Sequence, residues 1–195
     1  MMMVELTSVT SSVLPVVELT DHLKLASGFP DDGSQNAQLE SCLRAALSAI
    51  EARIGKALFR RRFALQMHSW QSSEEHKLPI APAVSVETVK VISRAGVETS
   101  LDPASYRLRQ DTHSPAIEAV GSGLPRPSQG GSVEVEFTAG FGDLWQDIPA
   151  DLKQAVLIQA VDFYTATPGS ENGMPFAVTV LIEPYRSLRL RGGAT

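Results

Sequence analysis

The stretch VEVEFTAGFGDLWQDIPADLKQAVLIQAVDFY, residues 133–164, constrains the fold more than any other part of the chain. Val133, Val135 and Phe137 alternate with Glu134, Glu136 and Thr138, the period-2 pattern of a strand with one buried and one wet face. Gly140 and Gly142 end that pattern. A loop through Trp145 and Asp147 then reaches Ile148-Pro149, and proline, with its fixed φ and no amide N–H, is best tolerated in the first turn of a helix. A helix is therefore expected from Pro149 to Tyr164. Leu152, Val156, Gln159 and Phe163 fall on one face of it, while Ala155, Leu157, Ile158, Ala160, Val161 and Tyr164 cover much of the rest. A helix apolar nearly all round is buried between other elements or between subunits.

A chain of 195 residues holds one ordinary domain, or a compact core with an elaborated insert. With 43% hydrophobic and 20% charged residues it is globular rather than disordered. A net charge of −5 gives no basic footprint for wrapping nucleic acid, which disfavours sequence-specific DNA binding. Cys42 is the only cysteine, so no intrachain disulfide is possible, and a lone thiol at an apolar helical position is expected as a small core residue. The first twenty residues lack the basic start and apolar run of a signal peptide, and no stretch reaches transmembrane length. The expectation is a soluble cytoplasmic protein with no membrane partner.

Residues 1–17, rich in Ser, Thr and Val, suit an extended arm ordered by docking. Thr20-Asp21 is a cap for a short helix over about 20–26. Leu39, Leu43, Ala46, Leu47, Ile50 and Ile54 recur at i+3/i+4 spacing and predict a helix over about 36–57. Arg60, Arg61 and Arg62 read better as the solvated approach to a strand than as a patch for nucleic acid or an acidic partner. Phe63, Leu65 and Met67 then alternate up to Trp70, and residues 71–79 read as a polar loop. Val84, Val86, Val89 and Val91 mark another strand whose change of phase after Val86 suggests a bulge. Arg94-Ala95-Gly96 is a hairpin turn. Tyr106 with Leu108, and Ala116, Ile117 with Val120, give two more short strands. GSGLPRPSQGG, residues 121–131, reads as a flexible surface loop. Phe176 to Glu183 makes two helical turns with Val178, Leu181 and Ile182 inward. Helices and strands are segregated, with helices over about 20–26, 36–57, 149–165 and 176–183 and five to six antiparallel strands over about 60–138. That order argues an α+β fold rather than a parallel βαβ sheet.

Catalytic signatures are weak throughout. The turn Thr138-Ala139-Gly140-Phe141-Gly142 has no Gly-Lys-Ser/Thr after it and no third glycine of a dinucleotide fingerprint, so phosphate binding is disfavoured. His22, His68, His76 and His113 are isolated and supply no metal-ligand set, and Glu74-Glu75 beside His76 reads as a wet loop. No GxSxG elbow is present. Neither cofactor, metal nor catalytic residue is assigned, and an enzyme is not expected.

Several motifs, in order, resemble the phage head–tail connector (adaptor) proteins of siphophage-like phages, prophages and gene transfer agents. They are Ile50-Glu51-x-x-Ile54-Gly55-Lys56-Ala57-Leu58, the alternating strand to Trp70, Leu78-Pro79-x-x-Pro82 with Ser85-Val86-x-x-Val89, and Leu101-Asp102-Pro103-x-x-Tyr106. Phe137-Thr138-Ala139-Gly140-Phe141-Gly142, Ile148-Pro149-Ala150-Asp151-Leu152-Lys153-Gln154-Ala155 and Pro175-Phe176-x-Val178-x-x-Leu181-Ile182-x-Pro184-Tyr185-Arg186 continue the match. The resemblance spans residues 18–186. The long 121–131 loop and the Ser-rich arm depart from the pattern.

The resemblance implies a single connector domain over 18–186, with a helical core (18–58 and 148–186), a β-rich insertion (60–140), an arm over 1–17 and a tail over 187–195. It implies a homo-oligomeric ring, commonly dodecameric, in the virion neck beneath the portal protein. Such a ring is assembled in the bacterial cytoplasm, extends the DNA channel without sequence-specific binding, and presents a docking surface to the stopper or tail-terminator protein. The alternating tail, with Tyr185, Arg186, Leu188, Arg189, Leu190 and Arg191, is a candidate portal-binding strand or an ordinary loose terminus. Leu152, Val156, Leu157 and Val161 are candidates for the subunit interface, the alternative being burial within one subunit. A stopper or tail-completion protein is the alternative role, and a phage-derived hydrolase or nuclease a more distant one.

Overall fold

The computed structural model describes residues 1–23, 34–166 and 173–186. Among them lie four α-helices and eight strands in two antiparallel sheets, the α+β class expected. The chain divides into a β-rich unit, Met1–Val9 with Lys56–Asp143, and a helical unit, Thr10–Gly55 with Leu144–Thr195.

In the β-rich unit the strands are β1 (Met2–Glu5), β2 (Arg61–Met67), β3 (Glu75–Lys77), β4 (Ala83–Ile92), β5 (Glu98–Ser100), β6 (Tyr106–Arg109), β7 (Ala116–Ala119) and β8 (Ser132–Ala139). The larger sheet has the order β1-β2-β8-β4-β5, and the smaller one β3-β7-β6. β8 is the middle strand of the larger sheet because its alternation supplies a continuous apolar face: Val133, Val135 and Phe137 have no exposed surface. Phe137 lies opposite Phe63 on β2, their rings stacked 5.7 Å apart, and Val135 lies opposite Leu65. Each such side chain contributes roughly 1.5–3 kcal/mol by burial. On the other side β4 pairs with β8 through two register shifts, one between Val86 and Thr88, where the apolar phase changes in the sequence.

The strands differ from expectation in particular places. The strand that begins near Arg61 stops at Met67 rather than Trp70. Residues 71–79, expected as a polar loop, contain β3: only His76 of its three residues is buried, so there was no alternation to see. Seven strands rather than five or six lie between Arg61 and Ala139, and the arm adds β1 at the sheet edge. The loop 121–131 is anchored, not merely superficial. The Leu124 N–H donates to the Ser73 carbonyl at 2.8 Å, and the Trp70 indole donates to the Pro125 carbonyl at 2.9 Å.

The helical unit contains α1 (Val16–His22), α2 (Ser34–Ile54), α3 (Ala150–Thr165) and α4 (Phe176–Ile182). α3 packs against the other three. The i+3/i+4 stripe of α2 is buried as expected, from Leu39 through Leu43, Ala46, Leu47 and Ile50 to Ile54. α2 ends earlier than residue 57 because Gly55 takes a left-handed conformation, φ 67°, which terminates helices. α1 starts directly after Pro15 rather than at residue 20. Thr20 therefore lies inside the helix, its hydroxyl donating to the Val16 carbonyl at 2.9 Å, instead of capping one.

Candidate functional site: assembly surfaces

The glycine turn after β8 is a crossing point of backbone. The Gly140 N–H donates to the Pro82 carbonyl at 2.9 Å, and the Phe141 N–H to the Leu58 carbonyl at 3.1 Å. Those two amides are engaged by protein carbonyls. Gly140 has φ 138°, and a Cβ there would stand 2.4 Å from the Phe59 carbonyl oxygen and 2.5 Å from the Arg60 nitrogen. Glycine is thus required by a close approach of chain to chain, not by a ligand.

The three consecutive arginines are each matched to a carboxylate within the β-rich unit: Arg60 to Asp143 at 2.9 Å, Arg61 to Glu5 at 2.9 Å and Arg62 to Glu136 at 2.7 Å. Arg61 also lies over the Phe63 ring, 5.5 Å from its centre. Arg60 and Arg62 are solvated as expected, but Arg61 and Arg62 already belong to β2, and the Arg61 side chain is only 11% exposed, drawn in by Glu5 and the Phe63 ring.

The histidine beside Glu74-Glu75 is not in a wet loop. His76 is buried on β3, edge-on to Trp70 at 5.6 Å, with Nδ1 accepting the Gln71 N–H at 3.2 Å and a buried Nε2 lacking a partner. Burial pushes its pKa below the ordinary histidine value. Lys56 is equally unexpected. It is 1% exposed, and its ammonium donates to the Thr112 carbonyl. Burial lowers its pKa, and the Asp111 carboxylate opposes that shift. Cys42 is half-buried rather than a core residue, and desolvation raises its thiol pKa.

Two surface depressions lie in the β-rich unit. One, about 530 Å³, is lined by Glu74, Glu75, Glu118, Ser122 and Gly123, and its Glu75 and Glu118 are paired with Arg109. The other, about 280 Å³, lies between His68, Trp70, Leu124 and Arg126. Among the described residues no cluster of three or more His, Cys, Asp or Glu can hold a metal, and no helix is long and apolar enough to cross a membrane.

The apolar surfaces are more informative. Of the interface candidates on α3, Leu152 and Val156 have no exposed surface, while Leu157 and Val161, one turn apart, are half-buried along with Ile158. On α4, Val178 and Ile182 are buried, but Phe176 and Val180 are 83% and 53% exposed on one side of the helix. Sequence reasoning missed that pair; its i,i+4 spacing was the available signal. It also missed the N-terminal surface, where Met1, Met2, Met3, Val4 and Leu6 are all 40–77% exposed on or beside the edge strand β1. Of the tail candidates, Tyr185 is held by a hydrogen bond to Asp151 Oδ1 at 2.8 Å, and Arg186 pairs with Glu183 at 2.9 Å. Burial and that bond to Asp151 push the Tyr185 pKa up to about 12. Leu188, Arg189, Leu190 and Arg191 lie outside the described residues.

No protein-family model matches the chain, and no curated protein matches it. Solved structures do. A chain in the neck of an empty gene transfer agent particle, computed with C6 symmetry, is 45% identical over 99% of both chains with a TM-score of 0.89. A chain in the virion of a native gene transfer agent particle is 45% identical over the same shares with a TM-score of 0.88. A third, in the neck of a native particle computed with C12 symmetry, is 42% identical over 99% of both chains with a TM-score of 0.87.

Proposed function

The chain belongs to the same family as these chains of gene transfer agent particles, and we propose that it is the head–tail adaptor in the neck of such a phage-like particle. The observation that carries this reading is the end-to-end match, 45% identity over 99% of both chains, to a neck component. Its role there is structural rather than enzymatic. The C6 and C12 symmetries of the related necks favour a ring of identical copies, for which an interface repeated by rotation suffices. The choice of adaptor over stopper rests on the ordered motifs from Ile50 to Arg186, which resemble connectors of that type.

In this reading the ring sits beneath the portal protein, is built in the bacterial cytoplasm, and offers its other end to the stopper or tail terminator. DNA passes through without sequence-specific contact, as an acidic subunit allows. Tyr185 and Arg186, fixed to Asp151 and Glu183, root a tail whose Leu188, Arg189, Leu190 and Arg191 alternate as an added strand at a portal edge would. Leu157 and Val161 supply apolar surface for a neighbouring copy.

Cross-linking of purified particles tests the assignment. Adducts with the portal are expected; adducts with the tail tube alone would make the protein a stopper. Removing residues 187–195 is expected to empty the neck of this chain, and full occupancy without them would sink the portal-binding role of the tail.

A further inference from the structure

The two open edges of the five-stranded sheet are built differently. At one edge, β5 is three residues long, Glu98-Thr99-Ser100, with Glu98 paired to Lys90 at 3.1 Å. Short, polar and charged, it is an edge protected against further strand pairing. At the other, β1 is Met2-Met3-Val4-Glu5, exposed on both faces and flanked by exposed Met1 and Leu6. Its single charge, Glu5, is drawn onto Arg61 of β2 at 2.9 Å, and its other three residues are exposed apolar side chains, where β5 has none.

The backbone of β1 has a definite polarity. The Leu6 N–H donates to the Arg62 carbonyl at 2.8 Å, which makes Leu6 an inward-bonding position. In an antiparallel ladder bonding alternates, so Val4 and Met2 also bond inward to β2, while the N–H and C=O of Met3 and Glu5 point out of the open edge. The side chains alternate as well. Met2 and Val4 stand beside Gln66 and Ala64 on the wet face, and Met3 and Glu5 beside Leu65 and Phe63 on the core face. An added strand would thus find two outward donor–acceptor pairs and apolar side chains on both faces.

We infer that β1 is a contact strand between copies, adding through the outward groups of Met3 and Glu5 to a second copy of this chain. The inference rests on the neck reading. A second copy is the occupant because the C6 and C12 symmetries with which the related necks were computed favour a ring, and in a ring every subunit has a like neighbour on each flank. A rotational contact is heterologous and joins two unlike surfaces of one chain. β1 and β5 are unlike and lie at opposite edges of one sheet, so only one flank presents the unprotected strand. Exposed apolar side chains on an open edge are an aggregation hazard in a free subunit, and burial against an identical neighbour removes it.

Proline separates the outward bonds from the inward ones. Met3→Pro deletes an outward donor and leaves the ladder to β2 intact, whereas Val4→Pro breaks the ladder itself. Met3→Pro subunits are expected to keep the wild-type melting temperature yet to be at least tenfold depleted from particle necks. A photoreactive Met2→benzoylphenylalanine in assembled particles is expected to give adducts between two copies of this chain. Adducts only with another neck protein, no adduct in fully occupied necks, or full occupancy by the Met3→Pro chain would each overturn the inference. Absence of the wild-type chain from necks would instead overturn the neck reading, so the two failures are distinguishable.

Discussion

The β-rich unit and the helical unit use different physics to reach a unique structure. In the β-rich unit the decisive groups are backbone atoms: two register shifts on β4, a glycine pressed against Phe59 and Arg60, and a lysine held at the Thr112 carbonyl. In the helical unit they are volumes, with Leu39, Leu43, Ile50, Leu152, Val156 and Ile182 meeting around α3. A directional core fails when one atom is added or one bond lost, while a volumetric core fails in proportion to what is removed.

The largest effect expected from that contrast is at Gly140. Gly140→Ala places a methyl against backbone at a positive φ and is expected to cost about 3–5 kcal/mol, read from urea denaturation. A loss under about 1 kcal/mol would show that the crossing can relax. Leu152→Ala, the matching test of the helical unit, is expected to cost about 2–5 kcal/mol, with Leu152→Met recovering most of it. Recovery by Met and not by Gln would mark the site as volumetric.

A smaller effect is expected at Tyr185→Phe, which removes the hydrogen bond to the Asp151 carboxylate and should cost about 1.5–3 kcal/mol by calorimetry. The difference should persist through neutral pH, because the hydroxyl's pKa is pushed up to about 12.

His76 gives the β-rich unit a pH dependence that a volumetric core lacks. Its folded pKa lies below the unfolded value of about 6.5, so between the two the unfolded chain binds more protons. Stability attributable to this residue is therefore complete above about pH 6.5 and falls as pH drops through and below it. His76→Phe should flatten the slope of stability against pH in that window, and an unchanged slope would locate the titration elsewhere. The smallest effect expected is at Arg62→Ala, whose exposed pair with Glu136 should be worth under about 1 kcal/mol.

The same contrast explains what could be read from the sequence. The stripe of α2 and the alternation of β8 were legible because burial follows a fixed period within one element. The bulge near Val86 was legible as a broken period. The place of β1 was not, because an edge strand exposed on both faces has no period and its register is set by β2, about sixty residues on. β3 and Lys56 stayed hidden for a related reason: each is stabilised by partners distant in sequence. Of the interface candidates on α3, the sequence did not separate Leu157 and Val161, which retain exposure, from Leu152 and Val156, which do not, because a helix apolar nearly all round shows no preferred face.

The backbone crossing at the glycine turn has an evolutionary consequence. Arg60 donates to the Gly142 carbonyl at 2.8 Å, so the segment between them leaves and returns at nearly one point. A segment with such ends is a cassette: it can lengthen, shrink or be exchanged without stretching the chain outside it, since closing a longer loop adds little entropic cost. This cassette is not self-contained, because its outermost strand comes from the start of the chain. Any exchange must either bring its own edge or remain compatible with Met2–Glu5, which ties divergence of the inserted segment to divergence of the first residues.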